Sequence, residues 1–322
     1  MSRQHLIPAA LLGEFSSETT GRRRDRRLWV ARRGQRGPHR ARAGSVGFER
    51  DPYLLRDLER LRPDLLDRQW RGYEQSLPWA IDLAAAVPAE ILYAEAWLIL
   101  VQFVAGLLVR TPDYAEADAT GLRELFGEDL PDGLTVDNAN ITRMMDYQWL
   151  SSTLLFCRWA LVGCDDDLLT NDGGYCLAGH PSGWPALAVP LRPNLLLLIS
   201  RGPGNLRAWW DGKSWRVEGI EHLKVDRGNP AIAQVNRTLA LTARREIYGA
   251  TEEGVATVAR TWAANPDRVG PPPPPRFLYA SPAKRQELED RIFVARDRLL
   301  RPPDQRPPWL IRFDAEHAWT SD

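Results

Sequence analysis

Three consecutive carboxylates, Asp165, Asp166 and Asp167, stand directly ahead of LLTNDGGYCL, residues 168–177, a stretch that drives an apolar pair into Thr170, Asn171 and Asp172 and then into a glycine pair. A carboxylate delivered by a buried strand, as Asp172 is expected to be, is costly unless a cation, a donor or water meets it. Arg110, at the end of a long apolar helix, is a natural partner. Paired, the two would form either a structural link between a helical part and a sheet or one edge of a polar pocket. The acidic run has the oxygen ligands a divalent cation needs. Adjacent carboxylates in a loop diverge more often than they converge, however, and we assign no metal to the run. The sequence identifies no cofactor, and it carries no P-loop, GxSxG, HExxH or EF-hand signature.

These residues must be positioned by helices first and strands later. Leu54, Leu58, Leu61, Leu65 and Leu66 fall near helical spacing, broken or kinked at Pro63. A helix is expected to begin at Pro88 and to run through Ile91–Val109, apolar nearly all round, until Arg110, Thr111 and Pro112 stop it. After a loop rich in acids and glycine, Asp137 or Asn138 can cap another helix with a stripe of Ile141, Met145, Trp149, Phe156 and Trp159 or Ala160. Past Cys164 the pattern shortens to strands: PALAVPL (185–191), NLLLLIS (194–200) and two aromatic arms around Asp211-Gly212, a hairpin signal. A last helix follows Pro230, with Ile232, Val235, Leu239, Ala243 and Ile247 at steps of three and four, and is expected to reach about Tyr248.

The first fifty residues hold 12 Arg against 4 acids, and Leu28–Ala31 and Ala41–Phe48 are expected to form a basic hairpin around the turn chemistry of Gly34–Pro38. Such a hairpin can grip phosphates, but without interleaved aromatics it is only a weak signal for nucleic acid. Over the whole chain 42 basic residues balance 42 acidic ones, so no global field selects a polyanion. Cys157, Cys164 and Cys176 are odd in number and make no CxxC pair, which points away from a disulfide framework or a zinc knuckle and towards a reducing compartment. The opening MSRQHLIPAALLGEF falls short of a secretory signal, and Ala94–Val109 is too short to cross a bilayer, so a soluble cytoplasmic protein with no membrane partner is expected. At the other end, GPPPPP (270–275) reads as polyproline II, followed by a charged amphipathic helix and a tail containing Trp309 and Phe313. The tail either docks back on the body or binds a protein partner. The expected fold is α+β: a single domain over 1–265 with a helical N-terminal half packed on a small mixed or antiparallel sheet, and a Pro-rich extension over 266–322.

Five short motifs occur in order: QHLIPAALLGEF (4–15), VRTP (109–112), LLTND (168–172), VPLRP (189–193) and QVNRTLALTARREIYG (234–249). Together they make the chain resemble Domain of Unknown Function 4238, a microbial family, over roughly residues 4 to 249. The resemblance places the family's opening on His5 and Pro8, its helix-end arginine on Arg110, its strand-end acid on Asp172, its Pro-Leu pair on Pro190 and Leu191, and its helix asparagine on Asn236. This chain departs from the pattern at Asn171, where serine is usual, and at Gly174, where proline is expected. The resemblance implies no activity. If His5 converges on Asp172, the site gains a base near neutral pH oriented by a carboxylate. Two functions follow. One is a hydrolase, directed at phosphodiesters or another small anionic substrate, with His5, Asp172 and Arg110 catalytic and Asn171 and Asn236 binding substrate. The other is a binding or regulatory module working through the basic N-terminus or the Pro-rich tail.

Overall fold

A computed structural model describes residues 3–50, 53, 64–86, 91–111, 114, 132–179, 185–200, 205–265 and 310–314. The expected helix at Leu54, Leu58 and Leu61, the Pro63 kink, the helix start at Pro88, most of the acidic loop, the proline run at 270–275, the charged helix after it and Trp309 lie outside the described residues.

In chain order the elements are β1 (Arg3–His5), α1 (Ala9–Leu12), β2 (Arg27–Arg32), β3 (His39–Arg42), β4 (Phe48–Arg50), α2 (Leu65–Glu74), α3 (Leu77–Ala86), β5 (Ile91–Tyr93) and α4 (Ala94–Arg110). There follow α5 (Asp132–Thr153), β6 (Arg158–Cys164), β7 (Thr170–Asn171), β8 (Cys176–Gly179), β9 (Pro185–Arg192), β10 (Leu195–Ser200), β11 (Asn205–Trp210), β12 (Trp215–Glu218) and β13 (Glu221–Val225). The described chain closes with α6 (Pro230–Thr242), β14 (Glu246–Gly249), α7 (Glu252–Ala264) and β15 (Leu310–Asp314). Helices and sheets are mixed, as an α+β fold requires. The single small sheet that was expected is replaced, among the described residues, by four sheets of two, five, four and four strands.

The largest sheet has the order β13-β6-β10-β9-β8 and is antiparallel except where β13 runs parallel to β6. A strand alternates its side chains between faces, so a strand buried on both faces reads as a continuous apolar run. That is the case here. Leu161, Leu187, Val189, Leu197 and Ile199 enter the main core, while Ala160, Val162, Ala188, Leu196 and Leu198 enter a second core on the opposite face. In the main core lies α4, whose Trp97, Phe103, Val104 and Leu108 are fully buried. Against the other face α6 sets Ile232, Val235 and Leu239. Each such side chain contributes about 1.5–3 kcal/mol on leaving water.

Several expectations are corrected here. The helix α5 begins ahead of the expected caps and ends at Thr153, so Phe156 falls in a short 3-10 turn and Trp159 in β6. Met145, placed on the buried stripe, is 56% exposed. Of the expected basic hairpin, β2 pairs with β3, but a 3-10 turn at Ala43–Ser45 interrupts the returning strand and β4 pairs with β1 instead. The described piece of the tail docks on the body: β15 pairs with the edge of β11, with Phe313 opposite Leu206.

The sheet that positions the polar residues has the order β3-β2-β14-β7. Along β2, Leu28 and Val30 face the main core and Ala31 faces a smaller cluster beneath α7 that contains Ile247, Ala243 and Trp262. Period two therefore puts Arg32 on the face of Leu28 and Val30, and the register sets it opposite Glu246. The helix before β14 starts cleanly, with Asn229 Oδ1 accepting from the Ala231 N–H at 2.9 Å and Pro230 in the first turn, where its missing N–H is not needed. It ends at Thr242 and not near Tyr248, because Ala243 turns to φ −59°, ψ 129° and the next residues join the sheet. No helix among the described residues is long and apolar enough to cross a membrane.

Candidate functional site

The strand end that carries Asp172 is held from several sides. Asn171 Oδ1 accepts from the N–H groups of Gly173 and Gly174, at 3.0 and 2.8 Å, while its Nδ2 donates to the Leu239 carbonyl and the Thr242 hydroxyl, at 2.8 and 3.1 Å. Both donors and both acceptor positions of the amide are thereby used. Asn171 builds the turn, and its expected role in holding substrate is corrected on that ground. Gly174 has a φ of +75°, which proline, fixed near −65°, cannot adopt, so the departure from the family pattern follows from the turn Asn171 makes. Asn236 is likewise engaged: its Oδ1 accepts from the Leu169 N–H and its Nδ2 donates to the Asp167 carbonyl, both at 2.9 Å. It ties α6 to the approach of β7.

Asp172 finds its donors in the backbone. Its Oδ1 accepts from Arg244 N–H at 2.8 Å, and its Oδ2 accepts from Arg245 N–H at 2.6 Å and Glu246 N–H at 3.2 Å. Three successive N–H groups, left without helix or sheet partners where the chain passes from α6 to β14, converge on one carboxylate, the geometry of an anion nest. The expected Asp172–Arg110 pair is thus corrected. Burial pushes the Asp172 pKa up to about 6, against the downward pull of these three hydrogen bonds.

Arg110 serves a different corner. It is 3% exposed and donates to the Glu74 carboxylate, the His5 carbonyl and, at 3.3 Å, the Tyr73 hydroxyl, with its guanidinium 4.7 Å from the Trp70 ring centre. The chain beginning does fold back onto the helix end, but it is the His5 backbone that meets the guanidinium. The His5 ring packs edge-on to Phe48, and its buried Nδ1 makes no hydrogen bond among the described residues. Burial, and then the nearby Arg110 charge, lower its pKa from the ordinary imidazole value. Asp172 bonds to neither residue.

The acidic run diverges. Asp166 accepts from the Gly228 N–H at 2.7 Å and Asp167 from the Thr251 hydroxyl at 3.1 Å, while Asp165 lies 3.9 Å from the Lys224 ammonium. Among the described residues no group of three or more His, Cys, Asp or Glu side chains is placed to hold a metal ion.

Asp172 does line a polar pocket of about 310 Å³, where the β1–β4 ledge meets the ends of β2 and β14. Arg32, Arg33, Arg244, Arg245 and Glu246 share its walls, with Leu6 and Phe48 beside them. Glu246 is fixed by three donors: Arg32 Nε at 2.5 Å on Oε1, and the Tyr248 hydroxyl at 2.5 Å and the Gly47 N–H at 3.1 Å on Oε2. Gly47 has a φ of +65°, and a Cβ there would lie 3.0 Å from Leu12 and 3.2 Å from the Tyr248 hydroxyl. The Arg33 N–H donates to the Arg245 carbonyl at 2.8 Å, locking the two arginine pairs together. Sequence reasoning missed this set. The signal present was a pair of Arg doublets, Arg32-Arg33 and Arg244-Arg245, each beside a strand.

The family model described as "Protein of unknown function (DUF4238)" matches residues 3–253, and the chain belongs to that family. No curated protein and no solved structure matches it.

Proposed function

We propose that this DUF4238 protein binds a small phosphate-bearing anion in the pocket at the β2–β14 corner and hydrolyses a phosphate ester there. The observation that carries the binding half is the lining: four arginines from two doublets line about 310 Å³ of space and outnumber the three carboxylates among them, Glu49, Asp172 and Glu246. Arginine suits phosphate because its planar fork offers paired N–H donors. Support for the catalytic half comes from the unlike settings of the two acids, a common basis for dividing acid and base roles. Glu246 is salt-bridged to Arg32. Asp172 has a pKa of about 6 and can exchange a proton near neutrality. With one N–H on its Oδ1, that oxygen keeps a second acceptor position for a water proton. In the proposed step water attacks phosphorus and the ester P–O bond breaks; Asp172 takes the water proton and returns it to the departing alkoxide oxygen, which leaves as the alcohol, while the arginines hold the charge that builds on the phosphoryl oxygens. His5 enters this reading through Phe48, which it packs against and which lines the pocket. Arg110 is left to architecture.

The test measures two quantities on the whole chain: the rise in Tm with inorganic pyrophosphate, and nitrophenolate release from bis(4-nitrophenyl) phosphate. Wild type should show both, Arg33→Ala should lose most of the Tm rise, and Asp172→Asn should lose turnover. No Tm rise and no release above buffer in the wild type would sink the proposal.

One observation favours a non-catalytic reading. All three N–H groups on Asp172 belong to the turn that carries two of the arginines, which is how a purely positioning carboxylate is used. Binding without turnover in the same experiment selects it. A protein partner for the Pro-rich stretch at 270–275 rests on composition alone. We place the protein in the reducing cytoplasm on its three free cysteines, all buried.

A further inference from the structure

A second cavity, about 570 Å³, opens on the far side of the segment that ends β2. Its walls are more apolar: Ala31 and Pro38 from the β2–β3 segment and Ala256, Ala259 and Trp262 of α7, with Arg260 of α7 beside them. Arg32, Arg33 and Gln35 line both this cavity and the polar pocket, so the two adjoin along one short segment. Arg33 sits at the junction with its guanidinium 5.0 Å from the Trp262 ring centre. The turn leaves room as well, since a Cβ at Gly34 or Gly37 would meet nothing within 4 Å.

We infer that the ligand is a nucleotide-like phosphate ester, its phosphate among the four arginines and its flat ring in the α7 groove; this rests on the anion-binding reading above. A bare phosphate or a polyphosphate has no use for alanine, proline and tryptophan walls. A sugar phosphate would fill the polar pocket and leave the groove empty. A planar heterocycle fits both conditions: its faces are apolar enough for the alanines of α7, and its edge carries atoms that the Gln35 amide can meet. The Arg33 guanidinium, already over Trp262, offers a charged plane beside which such a ring stacks.

The experiment is calorimetric titration of the full chain with inorganic phosphate, adenosine and adenosine 5′-monophosphate, repeated for Ala256→Trp, which fills the groove. Adenosine monophosphate is expected to bind at least tenfold tighter than phosphate. Ala256→Trp should erase that advantage and leave the phosphate Kd within twofold. Ala259→Leu, a milder filling, should weaken adenosine monophosphate severalfold and covers the case in which the tryptophan variant does not fold. Equal affinity for phosphate and adenosine monophosphate, or an advantage untouched by both variants, overturns the inference while the anion site stands. If neither compound binds the wild type, both readings fall.

Discussion

Asp172 holds the chain at Arg245 by its backbone: the carboxylate accepts the Arg245 N–H at 2.6 Å, with the neighbouring N–H groups of Arg244 and Glu246 on the same side chain. Removing the acceptor strands three donors in a buried corner, at about 1–3 kcal/mol each and less than additively. Asp172→Ala is therefore expected to lower stability by roughly 3 kcal/mol, with Asp172→Asn in between because its amide oxygen keeps one acceptor. Urea unfolding followed by circular dichroism measures both. A loss below about 0.5 kcal/mol in the alanine variant would contradict the nest.

The same carboxylate sets a pH dependence. Its pKa is about 6 in the folded protein against an ordinary 3.8, so between those values the folded state binds the extra proton. Stability from this group is present below about pH 4 and is lost as pH rises through 6, by on the order of 2–3 kcal/mol. Asp172→Asn cannot titrate in this range. The stability difference between wild type and Asp172→Asn should accordingly favour the wild type more at pH 4.5 than at pH 7. A difference that does not change with pH rules out the raised pKa.

Arg110 is a buried charge with a charged partner, Glu74, on α2. Arg110→Ala leaves the Glu74 carboxylate and the His5 carbonyl without their donor, and a loss of about 3–5 kcal/mol is expected in urea unfolding. Phosphate binding by whatever fraction remains folded should be unchanged. An Arg110→Ala protein of wild-type stability that no longer binds pyrophosphate would return Arg110 to the site.

Gly47 is strained for any residue with a Cβ, at φ +65° and in contact range of Leu12 and the Tyr248 hydroxyl. Gly47→Ala is expected to lose about 1–3 kcal/mol. It should also push Tyr248 from Glu246, so pyrophosphate binding should weaken in parallel with stability. Unchanged Tm and unchanged affinity together would show that the loop relaxes freely.

What was legible in the sequence followed local rules. The all-round apolar character of 91–109 marked α4 as buried, although its first three residues, Ile91–Tyr93, form β5 and pair with β12 instead; Asp211-Gly212 marked the β11–β12 turn, and Pro230 marked the start of α6. What was hidden depended on distant pairing. Ile247 fits the three-and-four spacing of α6, so Glu246 read as a helical residue, yet its conformation is set by hydrogen bonding to β2 and β7. The motif residues were easy to pick out and hard to assign. Asn171, Asp172 and Asn236 all bond backbone groups, yet Asp172 lines the pocket as well, and no spacing rule distinguishes a polar side chain that only holds a turn from one that also faces a pocket. Arg32 was visible only as part of a basic stretch, since its role needs the cross-strand neighbour that tertiary structure supplies.

The sheet around β14 joins β2, near the start of the matched region, to β14, near its end, with Trp29 opposite Gly249, while β7 closes the other side of β14 with Thr170 opposite Tyr248. A chain emerging from the ribosome N-terminus first would expose β2 with no neighbour on that edge until more than two hundred residues had been made, and such late, long-range closure is slow. Nascent chains truncated before residue 246 should therefore rely on chaperones, and a separately supplied C-terminal fragment should be able to complete them.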